Sequence, residues 1–181
     1  MFLDRDGVIN PPVVRSGKPH PPADLAAFRI YPEVPEACRL LKGAGFLLVV
    51  ATNQPDVGRG TQAREVVEAM HEVLCRSLPI DRVEVCYDAD TDGPATCHKP
   101  SPLMLARAAG ALRIDLGMSY MVGDRWRDVD CGHAAGCTTV FIDRGYQEDL
   151  RQPPDHRAQD LLHAARLILE LSARGGGPPS P

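Results

Sequence analysis

The chain has 181 residues, of which 44% are hydrophobic and 24% charged, and its formal net charge is −4. That length suits one domain with a sizeable core, and the mildly acidic balance gives no basis for a nucleic-acid or anionic-membrane surface. No apolar run approaches the roughly 18 residues of a membrane span and no signal-peptide pattern opens the sequence, so a cytoplasmic protein is expected.

In chain order, a very short strand precedes Asp4. Residues 34–45 carry apolar positions Val34, Cys38 and Leu41 at helical spacing, and 46–53 is a continuous apolar run ending in polar residues, as in a strand buried on both faces. A helix follows over 61–77 with Thr61 as its N-cap, then a strand over 83–87. A helix over 101–112 has Ser101 as cap and Pro102 at its first position. A fourth strand over 119–124, a helix over 128–136, a fifth strand over 138–143 and an amphipathic helix over 159–174 complete the pattern. Residues 175–181, GGGPPSP, read as a disordered or linker-like tail. The alternation predicts a single α/β domain over 1–174, a three-layer Rossmann-like parallel sheet with helices on both faces.

The six cysteines are Cys38, Cys75, Cys86, Cys97, Cys131 and Cys137. In a cytosolic chain they argue against a disulfide framework, and Cys38 and Cys75 read as small core residues of helices. His71 and His163 fall on helices and read as packing or surface residues. Only Met1, Phe2 and Leu3 precede Asp4, whereas strands usually span about five or six residues. A few upstream apolar residues are therefore expected in the native protein, failing which Met1 itself packs in the sheet.

Parallel sheets bind ligands at the carboxyl ends of their strands. The polar residues at those ends are Asp4 and Asp6, Thr52 and Asn53, and Asp124, with Lys99 in the loop after the third strand. Three converging carboxylates repel one another and raise their pKa values. A hard divalent cation resolves the conflict, and oxygen-only ligands suit magnesium. With a lysine and a hydroxyl beside them, they make a phosphoryl-transfer site.

DRDGVIN (4–10), VVATNQ (49–54), KP (99–100) and MVGDRWRDV (121–129) resemble, in order and over nearly the whole chain, the four motifs of haloacid dehalogenase (HAD)-type phosphatases. Within that superfamily, FLDRDG, TNQ and the cysteine-containing loop before Lys99 resemble the heptose bisphosphate and histidinol-phosphate phosphatases. The resemblance implies that Asp4 is the nucleophile and forms an aspartyl-phosphate. It implies that Asp6 is the general acid and then the general base. Magnesium would be held by Asp4, the main-chain carbonyl of Asp6, and Asp124, while Thr52 and Lys99 steady the phosphoryl group. Gly7 permits the turn that aims the aspartates inward. Asn53, Gln54 and Arg125 are candidate substrate contacts. Asp128 either orients Lys99 or a metal-bound water, or caps the helix that starts there.

Asp6 and Thr52 are 46 residues apart, and Thr52 and Lys99 are 47 apart. A strand-helix-strand crossover fills most of each interval, so no large cap domain fits. The loop NPPVVRSGKPHPPAD (10–24) holds five prolines with Arg15, Lys18 and His20, and those cations are candidates for a second phosphate. In the resembled subgroup the loop before Lys99 binds zinc through Cys-x-His and Cys-x-Cys pairs before an arginine. Here Cys86 and Cys97 fit two ligand positions, but Asp88 and Ala95 replace the histidine and a cysteine, and His98 replaces the arginine. Two thiolates and one carboxylate are an incomplete zinc set. Asp90, Asp92 and His98 stand open as fourth ligands, and a degenerate loop without metal is the alternative. The histidine also lacks the bidentate fork of an arginine.

The expectation is a monomeric, magnesium-dependent phosphatase acting on a small sugar phosphate, with D-glycero-D-manno-heptose 1,7-bisphosphate as best substrate. Histidinol phosphate or another small phosphate ester is the alternative. A receiver-like phospho-acceptor and a catalytically weak homologue are the contrasting classes.

Overall fold

The computed structural model describes residues 1–89 and 96–174. The expected tail over 175–181 and the open zinc ligands Asp90 and Asp92, with Ala95, lie outside the described residues.

β1 (Phe2–Leu3) is followed by a small antiparallel hairpin of β2 (Val13–Arg15) and β3 (Lys18–His20). The chain then alternates: α1 (Val34–Gly43), β4 (Val49–Asn53), α2 (Pro55–Gly58), α3 (Arg64–Ser77), β5 (Arg82–Cys86), α4 (Leu103–Leu112), β6 (Tyr120–Gly123), α5 (Trp126–Ala135), β7 (Thr138–Ile142), β8 (His156–Ala158) and α6 (Leu161–Arg174). Six parallel strands form one sheet in the order β5-β4-β1-β6-β7-β8. Among the described residues no cap domain is present, and the hairpin is the only structure between β1 and α1 that departs from the alternation.

The period of two along each strand sorts the core into two layers. Leu3, Val50, Val122, Val140 and Ile142 pack with α1, α3 and α6. Phe2, Val49, Ala51 and Met121 pack with Met104, Leu105 and Ala108 of α4 and Cys131 of α5. β1, β4 and β6 are therefore apolar on both faces, which is why the sequence shows runs and not alternation. β1 is short, but its neighbourhood extends it. The Val49 N–H donates to the Met1 carbonyl and the Asp4 N–H donates to the Val122 carbonyl, both at 2.9 Å. Met1 is buried in the α1/α6 layer.

Several boundaries differ from the sequence expectations. Thr61 does not cap α3, whose N-cap is Ala63. The Thr61 and Gln62 N–H groups instead donate to the Asp56 carbonyl and close α2, a one-turn helix the pattern did not reveal. Pro102 stands at the N-cap of α4, one residue before its expected place. α5 starts two residues before 128, and Asp128 caps its start by accepting from the Arg125 N–H. The proline-rich loop contains the β2–β3 ribbon because Ser16 and Gly17 both take positive φ, 49° and 73°, and turn the chain in two residues. β8 escaped notice because three residues carry no readable period. Cys75 is exposed on α3, against the core role expected for it, whereas Cys38 is buried as expected.

Candidate active site

In sheet order, β5, β4, β1 and β6 are neighbours. Parallel strands start together and end together, so the residues that follow them meet at one edge. Asp4 leaves β1, Thr52 and Asn53 end β4, and Asp124 leaves β6. Lys99 comes from the loop after β5. Its Nζ donates to Asp4 Oδ1 at 2.7 Å and to Asp128 Oδ1 at 2.6 Å, with all three residues buried. Asn53 holds that loop in register: its Oδ1 accepts from the Lys99 N–H at 2.9 Å and its Nδ2 donates to the Lys99 carbonyl at 3.2 Å.

Burial sets the electrostatics. It raises the Asp4 pKa to about 6, and the Lys99 ammonium opposes that rise. Burial works against the Lys99 ammonium as well, but Asp128 and Asp4 outweigh it and hold its pKa above the ordinary value. Asp124 is pushed well up by burial, then by Asp4 and Asp128. Asp128 does both things expected of it as alternatives. Oδ1 holds Lys99, while Oδ2 accepts from the Arg125 N–H at 3.0 Å and the Asp124 N–H at 3.2 Å at the start of α5.

Asp6 turns away from this cluster into a cradle of donors. Asn10 Nδ2 and Gln54 Nε2 each reach it at 2.8 Å, and Arg5 Nη2 reaches both of its oxygens at 3.1 and 2.8 Å. Gln54, expected to touch substrate, is buried and also donates to Thr52 Oγ1, so it positions both residues from behind. Arg5 is fully buried, and its Nη1 lies 3.1 Å from His71 Nε2. A guanidinium only donates, so Nε2 accepts and the imidazole is neutral. Burial, then Arg5, lowers the His71 pKa to about 4.

That shift has a stability consequence. Unfolded His71 gains a proton near its ordinary value of 6.5, whereas folded His71 does not until about 4. Its contribution is therefore complete above 6.5 and lost as pH falls toward 4, by up to about 3 kcal/mol. His71→Gln keeps an acceptor for Arg5 and is expected to flatten the fall in urea-unfolding free energy between pH 6.5 and 4.5. Equal slopes for variant and native protein would contradict this role.

Asp124 Oδ2 accepts from the Tyr146 hydroxyl at 2.8 Å. Its Oδ1 is buried and has no hydrogen-bond partner among the described residues. Oxygens of Asp4, Asp124 and Asp128 lie within 4.8 Å of one another, and one ammonium is set against three carboxylates. An orphaned carboxylate oxygen, excess negative charge and an oxygen-only donor set fit a hard divalent cation. Gly7 makes the crowding possible. Its φ is 95°, and a Cβ there would lie 1.6 Å from Asp124 Oδ2.

Asp4, Asp6 and Thr52 open into a cavity of about 410 Å³, with Lys18, His20, Arg59, His98, Arg125 and Arg127 among its lining residues. The hairpin thus brings Lys18 and His20 to the same cavity as Asp4 and Asp6. Arg15 does not line the cavity; it is exposed on β2. Arg125 is paired with Glu148, a residue the sequence did not point to. Arg5 and Asn10 were also missed, although both lie inside the first motif. Tyr146 and Glu148 follow β7 and carried no spacing signal.

The cysteine loop requires a correction. Cys86 and Cys97 are joined in a disulfide, against the expectation of reduced thiols. Asp88 stands beside them, with a carboxylate oxygen within 4.8 Å of both sulfurs. Zinc is bound by thiolates, so a zinc reading of this group of two sulfurs and one carboxylate, the incomplete set expected, applies only to its reduced form. His163, on α6, caps its own helix start and is remote from the site.

Residues 96–164 match the HAD-hydrolase-like family model. The chain is 34% identical to the D-glycero-D-manno-heptose-1,7-bisphosphate 7-phosphatase of Thermosynechococcus vestitus, across 93% of this chain and 94% of that protein. It is 36% identical to the D-glycero-beta-D-manno-heptose-1,7-bisphosphate 7-phosphatase of Escherichia coli K12, across 80% of this chain and 78% of that one. Its structure superposes on a D,D-heptose 1,7-bisphosphate phosphatase from B. bronchiseptica, complexed with magnesium and phosphate, with a TM-score of 0.80 and 27% identity. That alignment covers 94% of this chain and 98% of the other.

Proposed function

We propose, on the premise that this chain belongs to the HAD-like hydrolases and there to the family of D-glycero-D-manno-heptose-1,7-bisphosphate 7-phosphatases, that it releases the 7-phosphate of a heptose bisphosphate through an aspartyl-phosphate. The observation that carries the reading is the buried Lys99 bridging Asp4 and Asp128 at the floor of a cavity rimmed by cations.

Asp4 supplies a carboxylate oxygen that bonds to phosphorus as the bond from phosphorus to the sugar oxygen breaks. The leaving oxygen needs a proton, and Asp6 lies two residues on. In the cradle of Arg5, Asn10 and Gln54 its carboxylate is an acceptor only, so Asp6 must take up a proton and swing out of that cradle within the cavity to donate. It then accepts the proton of the water that displaces Asp4 and frees phosphate. Lys99 keeps the nucleophile aimed and its charge compensated, and Asp128 keeps Lys99 in place. Asp4, Asp124 and the Asp6 carbonyl would hold magnesium, which supplies further neutralisation of the phosphoryl charge. Lys18 and His20 on the hairpin support recognition of the distal phosphate.

The test is phosphate release with magnesium from heptose 1,7-bisphosphate, heptose 7-phosphate and histidinol phosphate. The bisphosphate is expected to have the highest kcat/KM. Lys18→Ala is expected to lower that value by about tenfold, equivalent to about 1.4 kcal/mol, while leaving the monophosphate nearly untouched. Equal turnover of histidinol phosphate would refute the sugar bisphosphate reading.

A further inference from the structure

The segment after β7 was silent in the sequence, yet four consecutive-to-near residues each touch a different part of the catalytic edge. Arg144 Nε donates to the Gly7 carbonyl at 2.7 Å, in the turn that follows the two aspartates. Tyr146 donates to Asp124 Oδ2. The Gln147 N–H donates to the Gly17 carbonyl at 3.1 Å, at the tip of the β2–β3 hairpin. Glu148 accepts from the Arg125 guanidinium.

We propose that Tyr146 is a positioning residue for the metal ligand Asp124, fixing Oδ2 so that Oδ1 faces the cation. The inference rests on the phosphatase reading above. Three observations support it. The two oxygens of Asp124 are unlike: Oδ2 has its donor in Tyr146, while Oδ1 is buried without one. The hydroxyl lies close against Gly7, where a Cβ would stand 2.9 Å from it, so only glycine leaves it this place beside Asp124. The chain on both sides of Tyr146 is tethered, by the Arg144 side chain to the Gly7 carbonyl and by the Gln147 N–H to the hairpin. A carboxylate with one oxygen held can rotate little, so the free oxygen keeps its direction without the metal. Loss of the hydroxyl leaves both buried oxygens unheld and lets the carboxylate rotate off the cation.

The experiment uses the full chain freed of metal with EDTA. Manganese binding is followed by electron paramagnetic resonance, and the magnesium dependence of phosphate release is measured beside it. Tyr146→Phe is expected to weaken manganese binding about tenfold or more and to raise the half-saturating magnesium by the same factor. At saturating magnesium, kcat should recover most of its native value. A purely structural tyrosine would instead lower the metal-free Tm and leave manganese affinity in place. That result, or affinity equal to or tighter than native, overturns the proposal. Gln147→Ala keeps its main-chain bond to Gly17 and is expected to bind manganese as the native chain does; an equal loss there would assign the effect to the loop and not to the hydroxyl, which also overturns it. Asp124→Asn separates the two readings. If Asp124→Asn loses manganese and Tyr146→Phe does not, only the role of Tyr146 fails. If Asp124→Asn binds manganese normally, the metal assignment fails with it.

Discussion

Asp4→Asn is expected to lower phosphate release by about 10⁴-fold or more, because an amide of the same shape is not a nucleophile toward phosphorus. The substitution is conservative in volume but not in charge. Asp4 is one of two carboxylates that share the Lys99 ammonium, so the variant keeps Lys99 anchored by Asp128 and should fold. Its circular dichroism spectrum and its unfolding transition are the controls. Asp6→Asn is expected to cost about 10² to 10⁴-fold, the range of general acid–base catalysis. The two losses differ in kind as well as size. Asp6 serves both the departure of the sugar oxygen and the arrival of water, so Asp6→Asn slows formation and hydrolysis of the phospho-enzyme alike and acid-quenched protein is still expected to trap phosphate, whereas Asp4→Asn holds none. Release that survives Asp4→Asn would sink the assignment of the nucleophile.

Lys99→Met carries the largest expected effect on stability. The ammonium is only 3% exposed, and it is the one cation hydrogen-bonded to Asp4 and Asp128 among the described residues. A methionine fills the same volume and leaves both acids unpaired in a low-dielectric site. Breaking one side of a buried ion pair costs about 3–5 kcal/mol, and that is the expected loss of unfolding free energy in EDTA at pH 8. The pH dependence fixes the cause. Burial already raises Asp4 to about 6 in the presence of Lys99, and removal of the cation raises it further. The folded variant then binds more protons than its unfolded chain as pH falls, so stability returns toward acid. A deficit that shrinks between pH 8 and pH 5 is expected. A deficit that is constant with pH would point to lost packing and not to stranded charge.

The catalytic edge was legible because it obeys a topological rule. Polar residues directly after apolar runs, at Asp4, Thr52 and Asp124, must converge when the runs are neighbouring parallel strands, and β4, β1 and β6 are neighbours. Lys99 was legible as the charge in the loop after the third strand, but its role only through the motif, since that loop has no period of its own. What lay hidden acts across space without spacing. Tyr146 reaches Asp124 over 22 residues and Arg144 reaches Gly7 over 137, and neither leaves a trace in local pattern. Arg5 and Asn10 lay in plain sight between and after the aspartates, but their direction, inward beneath Asp6, depends on how the turn at Gly7 folds. The disulfide escaped for another reason. Compartment argues about cysteines in bulk, whereas pairing depends on whether the loop from β5 brings two particular sulfurs together. The length of the β-ladder around β1 was equally beyond sequence, because Met1 and Asp4 contribute through main-chain bonds that no side chain announces.

The placement of β1 between β4 and β6 has a consequence for how the protein is made. Its partner on one side lies within the first third of the chain, while its partner on the other, Met121–Val122, is over a hundred residues away in sequence. Contacts of such separation close late and slowly. Until β6 emerges from the ribosome, β1 is an open edge with unsatisfied amides, including that of Asp4, whose acceptor is Val122. Asp124 and Asp128, which follow β6, reach Asp4 and Lys99 only once that strand has docked, so the nascent chain passes through a stage in which β1 is paired on one side and open to mispairing on the other.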